Sequence, residues 1–433
     1  MKLQITFAML LLMGLSACGA DDGADSGDVS DVLYENVGFD LVKNDADASA
    51  DSTDVSLCRA HFRYEIPSFG PTRAPAIGPD GHIYVASGDT VVSLQSEGLK
   101  RWAAIPEAGA ILGVPLVTKA GVYVGANTGM VYKLDREDGA VMWSRPVQGA
   151  VTHAPVRIGA DLLVANAEGL AFISEPNDFS AFNHFLRPLD APPTQPIVLD
   201  ADGLAIVTAG ASMWLLNDAN EGDAVPLLGV AEGSLTSQVI PLGDGSAVVG
   251  AAWMADDEPG VPAGQQRGLL RVNLATGDVE RLAVAGLLAG PSALVARSSR
   301  EVWAFTDSGD GFRYSLPAGD DPGASERFVL GGIDYGHPLL GNDGVWYVST
   351  WAGQGIEEVS LYARDLTGGT SGAVLWTEKL PGSRPGGIAI AGGGTILFPV
   401  GTELHAYRCG TSSLSAEAPW PKFQKDSANS GTF

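Results

Sequence analysis

The chain has 433 residues, of which 45% are apolar, with 56 glycines and 26 prolines. Against 26 Lys and Arg stand 51 Asp and Glu, and the resulting formal charge of −25 argues against nucleic acid and anionic membrane as direct partners. Either would add repulsion that no basic cluster in the chain relieves. The apolar fraction is enough for a sizeable core, and so many glycines suit short strands joined by tight turns.

The first residues are Met1-Lys2-Leu3-Gln4-Ile5-Thr6, followed by an apolar run from Phe7 to Leu12 and then Leu15-Ser16-Ala17-Cys18-Gly19. One early positive charge and a short apolar stretch predict an export signal over residues 1–17, too short to span a membrane as a helix. Leu-Ser-Ala-Cys resembles the bacterial lipoprotein signal, in which the cysteine is acylated and becomes the mature N-terminus. The alternative is a plain secretory peptide with an incidental cysteine. On the lipoprotein reading, dual acylation at Cys18 is enough for stable anchoring. Gly19 stands where some bacterial lipoproteins carry an Asp that retains them in the inner membrane, so the outer membrane or cell surface is the expected location.

From Gly19 to Ser56 eleven Asp or Glu face the single Lys43. Such a stretch buries too little apolar surface to fold and its charges repel, which predicts an extended acidic tether over residues 18–57. Val32-Leu33-Tyr34 and Phe39 interrupt it, either as a docking segment or as a sticky patch in a linker.

From Ala74 onward one pattern recurs. Its first copy reads Ala74-Pro75-Ala76-Ile77-Gly78, Asp80-Gly81-His82-Ile83-Tyr84-Val85, Val91-Val92-Ser93-Leu94 and Lys100-Arg101-Trp102. The starting proline or its substitute falls at Pro75, Pro115, Pro155, Pro196, Pro241, Pro291, Pro338 and Gly387, at a spacing of about 40 to 50 residues. Four short strand-like runs in each unit predict an all-β, eight-bladed β-propeller over residues 58–410, with seven blades as the alternative and 411–433 as a C-terminal tail. Strands are lettered a to d from the channel outward. Asp-Gly pairs at 80–81, 202–203, 244–245 and 343–344 sit where the a-to-b turn needs positive φ, so they are read as turn residues before metal ligands. Trp102, Trp143 and Trp376 end their units and are expected to wedge between neighbouring blades.

Phe62 precedes Pro75 by the interval that separates Trp102 from Pro115, so Cys58 to Ile66 reads as a d strand lacking its own a, b and c. The last unit shows a (Gly387 to Ala391), b (Thr395 to Val400) and c (Glu403 to Arg408) with no d. Together the two fragments make one blade. Antiparallel pairing of its c and d strands brings Cys58 and Cys409 to one rim, and with Cys18 assigned to lipid they are the two remaining thiols of an exported chain. A Cys58–Cys409 disulfide is therefore expected.

The repeat, with its apolar-Pro start, Asp-Gly-x-(Ile/Val)-Tyr-Val strand and terminal Trp, resembles the pyrroloquinoline-quinone-like propeller repeat, strongly in the first three units and weakly in units four to six. Pro419-Trp420-Pro421-Lys422-Phe423-Gln424-Lys425-Asp426 is similar to a segment that accompanies such repeats in many bacterial proteins. The family includes quinone-dependent dehydrogenases and non-enzymatic lipoproteins such as the outer-membrane barrel-assembly propeller. The dehydrogenase branch relies on a metal held by carboxylates and an amide and commonly on a disulfide of adjacent cysteines. This chain has no Cys-Cys pair and is shorter than that branch usually is, so neither cofactor nor catalytic residue is carried over.

Other chemistry leaves little trace. His61, His82, His153, His184, His337 and His405 are scattered singly, without metal spacing. No nucleophile elbow or phosphate loop appears, and Asp307-Ser308-Gly309-Asp310-Gly311 reads as a b-to-c turn. Two long b-to-c loops stand out: Trp253 to Arg267, with Asp256, Asp257, Glu258 and Arg267, and Trp351 to Glu358, with Gln354, Glu357 and Glu358. Alternating strand directions put both loops on the face opposite Cys58, where they are the expected contact surface. The functional expectation is a monomeric, lipid-anchored scaffold that binds an envelope protein or extracellular ligand without cofactor or catalysis. A barrel-assembly accessory, or an oxidoreductase or hydrolase with its site in the channel, stands as the alternative.

Overall fold

The computed structural model describes residues 57–419 except 69–71, 107–108, 160, 175–183, 190, 217–224, 230–232, 256–263, 284–286, 288, 318–322, 330–333, 354–356, 366–372 and 383–384, together with 422 and 426. The export signal, Cys18 and the acidic tether lie outside these residues. Every sheet is antiparallel and there are eight, which sets aside the seven-bladed alternative. The first blade consists of Ala76–Ile77 (a), Ile83–Ser87 (b), Thr90–Leu94 (c) and Lys100–Ala104 (d). Blades 2, 3, 4 and 6 repeat this order over 116–146, 156–188, 198–229 and 291–329. Inner strands of blades 8 and 1, 1 and 2, 5 and 6, and 6 and 7 lie against one another, so strand a is nearest the axis of the ring.

The strands are short because each unit must turn three times within its period, and the turns are chemically marked. Gly81, Gly203, Gly245 and Gly344 all have φ between 78° and 81°, a region closed to residues with a Cβ. In the same turns Asp80, Asp200, Asp244 and Asp343 accept backbone N–H bonds from His82, Asp202, Ser246 and Val345. These carboxylates are thus committed to closing turns.

Strand b is buried on both faces, as Ile83–Ser87 and Gly121–Gly125 show over their whole length. Period-2 alternation sends successive side chains into opposite interfaces. Ala76, Tyr84 and Ala86 pack toward blade 2 with Ile111, Val122 and Val124, while Ile77, Ile83 and Val85 pack toward blade 8 with Leu397, Leu404 and Ala406. Every one of the eight junctions between blades has such an apolar layer, the junction of blades 8 and 1 included. The core is therefore a ring of eight layers.

Blade 8 takes its a, b and c strands from the C-terminal end (Ala389–Ala391, Thr395–Val400 and Glu403–Cys409) and its d strand from Cys58–Glu65. The d-strand aromatics do what their spacing predicts. A Cβ added to Gly139 in the c-to-d turn of blade 2 would lie 2.6 Å from the Trp102 ring, and Phe62 meets the corresponding Gly98 of blade 1 in the same way. Trp376 stacks edge-on against Tyr407 of blade 8 at 5.1 Å. The segment after residue 410 is docked in its described part. Asn342 Oδ1 accepts bonds from Thr411 Oγ1 and the Ser412 amide, Gly341 bridges Leu414, and Leu339 bridges Lys422, which is only 1% exposed.

Candidate functional site

In each blade strand b ends and strand c begins at one end of the sheet, while the a-to-b and c-to-d turns lie at the other. Cys58 and Cys409 sit at the c-to-d end of blade 8, joined by a disulfide with Cα atoms 4.1 Å apart. The two expected contact loops belong to the opposite end. This follows from antiparallel order alone and agrees with the sequence expectation.

Blade 5 carries the more prominent feature. Its b and c strands, Ser246–Ala255 and Gly264–Asn273, are ten residues each and pair from Ser246↔Asn273 to Ala255↔Gly264. In blade 1 the same strands have five residues. Beside this hairpin two short inner strands, Ser234–Leu235 and Ile240–Pro241, pair with strand b as far as Ala252. The b–c pairing therefore extends from Trp253 to Ala255 beyond the last described inner-strand pair, Ser234↔Ala252. Met254 is 45% exposed at this tip. Arg267 on strand c donates to the Leu287 carbonyl at 3.0 Å and to Gln265 Oε1 at 2.5 Å, which fixes its guanidinium along the hairpin.

The tryptophans require a correction. Trp253 is 3% exposed inside strand b and packs in the layer between blades 4 and 5 with Met213, Leu215 and Val249. Trp351 ends strand b of blade 7 (Trp346–Trp351), is 9% exposed, and packs with Val359 and Leu380 in the layer shared with blade 8. Both are core residues, not loop contacts, because strand b runs on to Ala255 in blade 5 and takes in Trp351 in blade 7. Of the remaining candidates, Asp256, Asp257, Glu258 and Gln354 lie outside the described residues. Glu357 is exposed and its carbonyl accepts the Gly382 amide. Glu358 opens strand c of blade 7 (Glu358–Asp365) and pairs with Lys379 at 2.8 Å, an exposed contact that solvent screens and that raises the Lys379 pKa. Sequence reasoning missed Met254, whose exposure depends on how far the hairpin outruns its neighbours.

Among the described residues no group of three or more His, Cys, Asp or Glu is arranged to hold a metal. Asp310, in the stretch read as a b-to-c turn, is paired with Arg327 at 2.9 Å, and Gly309 takes φ 91° as that turn requires. His153 and His337 are partly exposed at the surface, with their rings largely enclosed by protein. Burial pushes His153 down to about 4, against a hydrogen bond with the Thr194 backbone, and it pushes His337 down to about 4 with help from the Lys422 charge. Burial also lowers His405, against the opposing pull of Glu403. All three are neutral imidazoles at pH 7.

The fold is that of an eight-bladed β-propeller, and its repeat is similar to the pyrroloquinoline-quinone-like one. The family described as PQQ_2, outer membrane protein assembly factor BamB, matches residues 46–178, the stretch that holds the closing strand and the three best-preserved units. No curated protein matches the chain. Among solved structures it is similar to BamB from Moraxella catarrhalis, at TM-score 0.54 and 12% identity over 81% of this chain and 98% of that one. It is also similar to the computationally designed Ika8 protein, at TM-score 0.56 and 13% identity over 79% of this chain and 98% of that one. At such identities the likeness is one of fold.

Proposed function

We propose that the chain is an envelope protein, lipid-anchored through Cys18, whose propeller is a monomeric non-catalytic scaffold binding a protein or extracellular ligand on the b-to-c face. The observation that carries this reading is the ten-residue hairpin of blade 5, which projects from the face opposite the N-terminal closing strand and presents Met254 and Gln265 to solvent. An exposed apolar side chain on a rigid, paired hairpin is an anchor with little ordering entropy to lose. The match over residues 46–178 to a family described as an outer membrane protein assembly factor supports a narrower role as an accessory of outer-membrane barrel assembly.

A photo-crosslinking side chain placed at Met254, and at Arg59 on the closing strand as control, tests the face in intact cells. The expected result is a discrete adduct from position 254 and none from 59. A barrel-assembly component in that adduct selects the narrower role. Equal labelling from both positions, or none from 254, removes the docking reading. Cys18→Ala is expected to move the protein out of the membrane fraction.

A further inference from the structure

Arg73 lies two residues before the proline of the first unit, where its amide donates to the Ala86 carbonyl at 2.8 Å. Its neighbour Thr72 bonds through Oγ1 to the Gly401 carbonyl at 2.6 Å, in the b-to-c turn of blade 8. Arg73 therefore sits just before the inner strand of blade 1, at the end of the ring that bears the b-to-c turns. Beside it the backbones of neighbouring blades pack in close contact. A Cβ on Gly386 would lie 2.8 Å from the Thr72 carbonyl oxygen, and one on Gly387 would lie 2.8 Å from Ala74 Cβ and 3.6 Å from His337 Cδ2. The inner strands of blades 7, 8 and 1 converge on this glycine pair. Lys422 docks on the same blade 7 strand beside Leu339, and its charge bears on His337.

The Arg73 guanidinium is half-buried, its Nε is sealed from solvent, and it has no hydrogen-bond or ion-pair partner among the described residues. Burial lowers its pKa with no carboxylate to oppose the effect. Elsewhere Arg101, Arg271, Arg313 and Arg327 are each matched to Glu137, Asp244, Glu301 and Asp310. Arg267 likewise lacks a carboxylate, but its guanidinium is bonded to the Leu287 carbonyl and Gln265, whereas no such bond satisfies Arg73. A cation withdrawn from water without a counter-charge is costly, and an anion from outside removes that cost.

We propose that Arg73 anchors a small-oxyanion site at the b-to-c mouth of the central channel, where its planar fork takes a carboxylate or phosphate group between blades 7, 8 and 1. The guanidinium geometry suits bidentate capture of two oxygens. The site stands independently of the docking reading, since it involves no residue of the blade 5 hairpin.

Thermal unfolding of the full chain in sodium phosphate and in sodium acetate, each against sodium chloride at equal ionic strength, tests the proposal. A saturable rise in melting temperature is expected in at least one oxyanion: phosphate alone assigns a phosphoryl ligand, acetate alone a carboxylate. Arg73→Gln is expected to weaken the apparent affinity about tenfold or more, the loss of a charge-assisted bond. It should also melt no lower than wild type in chloride, because the uncompensated charge is gone. Arg73→Lys keeps the charge without the fork and is expected to retain part of the rise. Three results overturn the site: no saturable rise in either oxyanion, an undiminished rise in Arg73→Gln, or an Arg73→Gln protein that is destabilised or unfolded in chloride.

Discussion

At the scale of single residues, burial settles roles that residue type leaves open. Trp253 resembles a loop anchor in sequence and is a core residue in space, 3% exposed. Trp253→Ala is therefore expected to destabilise the protein by about 3 to 5 kcal/mol, the usual cost of emptying a large aromatic site, measured as a drop in the chemical denaturation midpoint. An unchanged midpoint would place the ring at the surface. The enclosed histidines bear on pH dependence. His153 and His337 titrate near 4 in the fold against an ordinary value of 6.5, so between those values the unfolded chain binds more protons. Their stabilisation is complete above pH 6.5 and is lost as pH falls toward 4. Replacing both with Gln is expected to flatten the melting temperature over that window, and a profile as steep as wild type would show that other groups control it.

At the scale of strands and hairpins, the closing strand was legible because its aromatic keeps the repeat spacing. Phe62 occupies Gly98 as Trp102 occupies Gly139, so one spacing rule identifies both the packing and the missing d strand. The a-to-b turns were equally plain, since positive φ calls for glycine wherever the turn occurs. Hairpin length was not legible. In the blade 5 hairpin the strand has Ala251 and Trp253 facing one apolar layer, and the run Gly250-Ala251-Ala252 gives no polar alternation to mark where pairing stops. The docked segment after residue 410 was also missed. Its attachment rests on Asn342 and on isolated bridges to Gly341 and Leu339, contacts with no periodicity of their own.

At the scale of the whole molecule, ring closure is the feature on which stability turns. Cys58 and Cys409 are separated by 351 residues and join the first described strand to the last strand of the ring. In the chain-entropy account a loop this long contributes about 6 kcal/mol at most, and strain or residual structure reduces it. Reduction with dithiothreitol, or the double change of Cys58 and Cys409 to Ala, is expected to lower the unfolding midpoint while leaving the far-ultraviolet β-sheet spectrum intact at low temperature. Loss of the β-sheet signal on reduction would mean that the blades need the bond to form at all. No shift in the midpoint would mean that the apolar layer between blades 8 and 1 closes the ring unaided.

The sequence by itself determined the period, the borrowed strand and the pair of cysteines that seals it, because each depends on local turn chemistry or on spacing that repeats, while the choice of eight blades over seven came from the structure. Tertiary structure alone decided which tryptophans are core, how far the blade 5 hairpin reaches, where the segment after residue 410 docks, and that Arg73 stands beyond reach of any described carboxylate. Those outcomes depend on which side chains meet across blades distant in sequence, and a pattern of strands buried on both faces carries no record of its neighbours.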